Sequence, residues 1–223
     1  MKIRTLTVAA ALTAGLGVTL APAQALTPEP PSSTVATVDP ASDVQRYSTH
    51  VPEPLPQYPA PNQTQGDITG SRLTHKSKTI RLRLRFAELD KVGYLHGYSI
   101  RFHGAKVDRS VVFAAYPGKR TPIDRVAYWR GDKPVLLGKF GNPRKCSGLK
   151  ATISYKYDNV LVVIPRRCLG NPRWIEAGPR VSTRFAGANS SEVNYFDDAY
   201  SSGGKIGDKA PLGARAYTPS ALD

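Results

Sequence analysis

The chain has 223 residues, with 31 Lys+Arg against 17 Asp+Glu and a formal net charge of +14. So basic a balance directs attention to anionic partners, and two cysteines, once paired, leave no thiol over for a nucleophile. After one N-terminal apolar run, no other uninterrupted stretch is long enough to cross a bilayer, which excludes a further helical span.

Lys2 and Arg4 form a short positive start, Thr5 to Leu20 is apolar and uncharged, and Ala23-Gln24-Ala25 follows as a small-residue cleavage motif. This is the pattern of a secretory signal peptide over residues 1–25, with the mature chain expected to begin at Leu26. A membrane anchor is the alternative, but the run is short, contains Gly15 and Gly17 and ends at Ala21-Pro22. No cysteine lies near the cleavage motif, so a lipid anchor there is excluded. The expected location is secreted or envelope-associated, with no transmembrane segment after cleavage.

Residues 26–65 carry Pro28, Pro30, Pro31, Pro40, Pro52, Pro54, Pro56, Pro59 and Pro61 and few large aliphatics. Such a segment is expected to be a disordered linker or arm, because it has too little apolar surface to offset its ordering entropy. It is acidic: Glu29, Asp39, Asp43 and Glu53 face only Arg46.

Residues 66–215 have the size of one domain and contain 28 Lys+Arg and 12 Asp+Glu. Ile68 and its neighbours read as the first arm of a hairpin. Ile80, Leu82, Leu84 and Phe86 alternate with Arg81, Arg83 and Arg85, the period of a half-buried strand. Tyr94, His96, Tyr98, Ile100 and Phe102 share one face of the next strand, and Ser110 to Tyr116 is apolar on both. Leu149 to Lys156 alternates again, turns at Tyr157-Asp158-Asn159 and continues into the apolar Val160 to Ile164. Trp174 to Val181 and Glu192 to Phe196 are weaker strand candidates. Residues 216–223 are expected to be a flexible tail. Short strands divided by Gly, Pro, Asn and Asp turns predict an all-β fold, an antiparallel β-sandwich of jelly-roll type. A closed barrel is the alternative that periodicity does not separate.

Cys146 and Cys168 are expected to form one disulfide in an oxidising compartment. A free-thiol pair or half of a metal site are the alternatives, but His50, His75, His96 and His103 supply no zinc-like spacing. The bridge would gather Arg144, Lys145, Arg166, Arg167 and Arg173 into one region, and clustered guanidinium forks suit phosphate or carboxylate ligands. The other reading is a solvated basic face kept for solubility. Asp197 and Asp198 are adjacent on a strand and point to opposite faces, a poor general acid/base couple. One of them, with Asp67 and backbone carbonyls, is a candidate Ca²⁺ site; the alternative is a turn-forming Asp and a β-bulge. His96 reads as a hydrogen-bonded core residue.

Gly66-Asp67-Ile68, the strand Ile80 to Leu89, the block Cys146 to Trp174 and Phe196-Asp197-Asp198-Ala199 resemble exported actinobacterial proteins of unknown function. More distantly, strand order and the Gly-Asp-Ile opening resemble family 9-type carbohydrate-binding modules and DOMON-type domains. That resemblance implies a β-sandwich, and related sandwiches often hold an ion. No hydrolase, metalloprotease or nucleic-acid motif accompanies the charge. The expectation is therefore a non-catalytic exported or envelope-associated protein that binds an anionic wall polymer or polysaccharide, with structural calcium as its only cofactor candidate. A secreted hydrolase with an unrecognised active site is the alternative. The residues carry no signal for oligomeric state.

Overall fold

A computed structural model of the full chain describes residues 33–47, 57–91, 93–116, 123–130, 146–185, 194–200 and 210–219. The chain divides into Met1–Pro30 and Pro31–Asp223, and the described residues all belong to the second unit. The expected signal peptide, Arg144 and Lys145 therefore lie outside them.

The elements are β1 (Thr34–Val38), β2 (Gln45–Tyr47), β3 (Gln57–Pro59), β4 (Ile68–His75), β5 (Thr79–Phe86), β6 (Tyr94–Gly104) and β7 (Val107–Ala115). There follow β8 (Ile123–Arg130), β9 (Lys150–Ser154), β10 (Asn159–Pro165), a 3-10 turn at Arg166–Leu169, β11 (Trp174–Phe185), β12 (Asn194–Asp198) and β13 (Ala216–Tyr217). They form two antiparallel sheets. One has the order β1-β4-β5-β10-β9; the other runs β3-β2-β12-β11-β6-β7-β8, with β13 added to β11.

The alternation in β5 sets the first sheet's two faces. Ile80, Leu82 and Leu84 are fully buried, while Arg81, Arg83 and Arg85 stay exposed. From the other sheet, Tyr98, Ile100, Phe102, Val111 and Phe113 complete one shared core. Tyr98 and Phe113 are register partners on β6 and β7, and their rings stack at 4.6 Å. Phe86 of the first sheet meets Tyr98 edge-on at 6.2 Å, so this aromatic trio joins the layers. The β-sandwich expected from strand patterning is thus the observed fold. The β9–β10 hairpin turns where Tyr157-Asp158 predicts, and Asp158 takes the left-handed conformation (φ 45°) that Asp tolerates. β10 is less covered than its apolar sequence suggests, with one face buried and the other half-buried.

Cys146 and Cys168 are bonded, with Cα atoms 5.8 Å apart. The bridge ties the segment before β9 to the 3-10 turn after β10. Closing a loop of this length stabilises by about 3 kcal/mol in the chain-entropy model.

Two boundary expectations need correction. The segment 26–65 is not simply a linker: β1 pairs with β4, and β2 lies between β12 and β3. Its strands add to edges of sheets already built, so main-chain hydrogen bonds hold them where apolar side chains are scarce. Val44 is nevertheless 1% exposed. The expected flexible tail also begins with structure. Ala216–Tyr217 pairs with Trp174–Ile175, and buried His75 donates from Nδ1 to the Ala216 carbonyl at 3.2 Å. No helix among the described residues is long and apolar enough to cross a membrane.

Gly66 and Gly170 both have positive φ (81° and 73°), but a Cβ on Gly66 would collide with the Thr183 side chain, whereas one on Gly170 meets nothing. Gly66→Ala should therefore cost more than about 2 kcal/mol in urea unfolding, and Gly170→Ala only about 1 kcal/mol. Equal losses would contradict this packing.

Candidate functional site

The chain crosses from one sheet to the other at Asp39-Pro40-Ala41-Ser42-Asp43, between β1 and β2. Ser42 adopts φ 70°, and the tight turn brings both flanking carboxylates inward. Its backbone N–H donates to Asp67 Oδ2 at 2.9 Å. Asp67 immediately precedes β4, whose first residue, Ile68, donates its N–H to Asp197 Oδ2 at 2.6 Å. Carboxylate oxygens of Asp39, Asp43 and Asp197 all lie within 4.8 Å of one another. Asp39 is 3% exposed and Asp197 1%. Among the described residues, neither oxygen of Asp39 has a hydrogen-bond partner, nor do Oδ1 of Asp67 and Oδ1 of Asp197.

Burial and mutual repulsion disfavour ionisation here. Asp39 is pushed up to about 8, first by burial and then by the charges of Asp43, Asp198 and Asp67. Asp197 is pushed up to about 9 by burial and by Asp43, Asp39 and Asp67, against the stabilising Ile68 N–H. Burial also raises Asp67, opposed by the Ser42 N–H.

Of the three carboxylates predicted as a Ca²⁺ site, the structure brings Asp67 and Asp197 to this centre. Asp198 pairs with Arg180 at 3.7 Å. Asp39 and Asp43 were missed because they fall in the segment read as a linker. The available signal was two aspartates four residues apart around a Pro-containing turn, in an otherwise basic chain.

Of the expected cation cluster at the disulfide, Arg166 and Arg167 are engaged with backbone carbonyls. Arg166 donates to the carbonyls of Ser77 (2.8 Å), Pro172 (2.9 Å) and Asn171 (3.4 Å). Arg167 donates to the Ser147 carbonyl at 2.7 Å. Arg173 lines a groove of about 400 Å³ with Lys106, Trp174 and Tyr217, and Arg215 stacks on Trp174 at 4.2 Å.

Another basic surface lies on the outer face of the five-stranded sheet. Arg72 is the register partner of Arg83, Arg81 lies between Thr74 and Val163, and Arg85 between Gly70 and Asn159. Val163 leads on to Lys150. Arg72, Arg81, Arg83, Arg85 and Lys150 are all exposed, and no Asp or Glu stands in these cross-strand rows.

The chain matches no protein-family model, and neither the curated proteins nor the solved structures yield a match.

His96 is fully buried, with Nδ1 3.1 Å from Thr183 Oγ1. Burial pulls its pKa from 6.5 to about 4, against the opposing influence of Asp90. Between those values the unfolded chain binds more protons than the folded one. Stability due to His96 is therefore complete above about pH 6.5 and is lost as pH falls toward 4. Urea titrations of wild type and His96→Gln should run parallel above pH 7. Below it the wild type should lose on the order of 3 kcal/mol relative to the variant by pH 4. Parallel profiles throughout would show that the imidazole protonates freely in the fold.

Proposed function

We propose that this chain is an exported, non-catalytic binding module that holds a linear anionic envelope polymer across the outer face of its five-stranded sheet. The observation that carries the reading is the direct opposition of Arg72 and Arg83 within a row of exposed arginines. Like charges facing each other across strands cost a few tenths to about 1 kcal/mol, a penalty that an anionic ligand removes. Successive outward side chains on one strand lie about 6.8 Å apart, so Arg81, Arg83 and Arg85 offer repeated forks to repeated phosphate or carboxylate groups.

This places binding away from the disulfide, where Arg166 and Arg167 already serve backbone carbonyls. The non-catalytic part of the reading draws on burial. The carboxylates with displaced pKa values and His96 are sealed from solvent, where no substrate would reach them. Export rests on the signal-peptide pattern of residues 1–25, and the disulfide is compatible with it.

Binding to immobilised poly(glycerol phosphate) and polygalacturonate should weaken about tenfold in Arg81→Ala/Arg83→Ala and fall steeply with salt. Trp174→Ala should leave binding intact. Arg166→Ala should lower stability rather than affinity. A loss in Arg166→Ala about half that of the double variant, in proportion to the charge removed, would reduce the effect to net charge. Salt-independent binding lost in Trp174→Ala would move the site to the groove and its ligand to a neutral glycan. Tighter binding to duplex DNA than to either polymer would reassign the partner class.

A further inference from the structure

We infer that the carboxylates of Asp39, Asp43 and Asp197 bind a Ca²⁺ ion, and that this ion fastens the N-terminal strands across the seam between the two sheets. The inference is independent of the basic face. It begins with Asp39, whose two oxygens are buried at 3% exposure with no hydrogen-bond partner among the described residues. A carboxyl group buried without donors is unfavourable until a cation or a proton satisfies it. Among the described residues, Arg180 lies 3.7 Å from Asp198, on the neighbouring residue of β12. Both oxygens of Asp39 and Oδ1 of Asp197 are thus open, among the described residues, to a small cation seated between the three carboxylates.

The donor set selects the ion's class. All three candidate ligands are carboxylate oxygens. Zinc and copper prefer nitrogen or sulfur, whereas hard cations take oxygen. Ca²⁺ binds oxygens at about 2.3–2.6 Å, so two ligands of one ion lie at most about 5 Å apart. The mutual 4.8 Å limit on these oxygens satisfies that condition. Mg²⁺ demands near-octahedral geometry at shorter distances and usually keeps several waters, which suits a set with two buried carboxylates less well. Asp67 acts one step out, holding the turn through Ser42 N–H, while Ile68 N–H orients Asp197.

The ligands' positions in the chain give the ion its consequence. Asp39 ends the approach from β1 in one sheet, Asp43 begins the approach to β2 in the other, and Asp197 belongs to β12, which pairs with β2. One ion would therefore hold a turn whose two flanks edge different sheets. Without it, the turn loses the tie between its two flanks, and β1 and β2 have few apolar side chains with which to resist release. Releasing them would uncover the pairing edges of β4 and β12.

The test uses the full exported chain, stripped with EGTA and then given 5 mM CaCl₂ or 5 mM MgCl₂. Calcium should raise Tm by about 5–10 °C, and magnesium by much less. Calcium should also slow tryptic cleavage after Arg46 in β2 at least tenfold, while cleavage after Arg83 in β5 changes little. Asp39→Asn, near-isosteric and one charge less, should fold without calcium and lose both responses. An unchanged Tm and unchanged cleavage after Arg46 in wild type would overturn the proposal. So would an Asp39→Asn protein that still responds fully to calcium.

Discussion

Asp39, Asp43, Asp67 and Asp197 converge on one corner of the sandwich, where burial and their mutual repulsion disfavour ionisation. The chain crosses there between the sheets in the β1–β2 turn and again before β4, and the hydrogen bonds from Ser42 N–H and Ile68 N–H are directed to carboxylate oxygens. The aromatic and aliphatic core holds the layers together. Main-chain pairing holds the N-terminal strands to their sheets, and the proposed cation would add a tie between the two flanks of the turn.

The same arrangement shapes the exterior. Asp39, Asp67, Asp197 and Asp198 are buried, so part of the chain's limited acidity is withdrawn from solvent. The surface is accordingly more basic than the composition suggests, and the arginines of β4 and β5 face water with no acidic residue in their cross-strand rows. β1 borders this face, since Ala36 is the register partner of Arg72. Loss of the N-terminal strands would therefore open the sheet edge beside the surface proposed to bind polymer.

Strands β5, β6 and β10 are legible in the sequence because each buries a row of large apolar side chains at period 2, and β9 because half-buried Ala151 and Ile153 alternate with polar residues. β1, β2 and β13 are not. They are short and rich in small or polar residues, and their place is set by backbone pairing to an existing edge, which leaves no hydrophobic trace. β8, at Ile123–Arg130, was passed over in a stretch where apolar and charged residues follow no regular alternation. The candidate sites show the same limit. Asp67 and Asp197 could be chosen because they flank recognisable strands, whereas Asp39 and Asp43 lay in a segment set aside as linker. For the basic residues, the sequence gives their number but not their use. Arg166 and Arg81 look alike in a list, yet one guanidinium serves three carbonyls and the other is exposed on a sheet face.

The most direct measurement is the metal content of the protein purified in its exported form, without chelator or added metal, and desalted before elemental analysis. The account predicts about one calcium per chain in wild type and a marked loss in Asp197→Asn, which keeps an oxygen for Ile68 N–H but removes the charge. Calcium far below stoichiometry in a folded wild-type protein, or equal amounts in the two proteins, would contradict it.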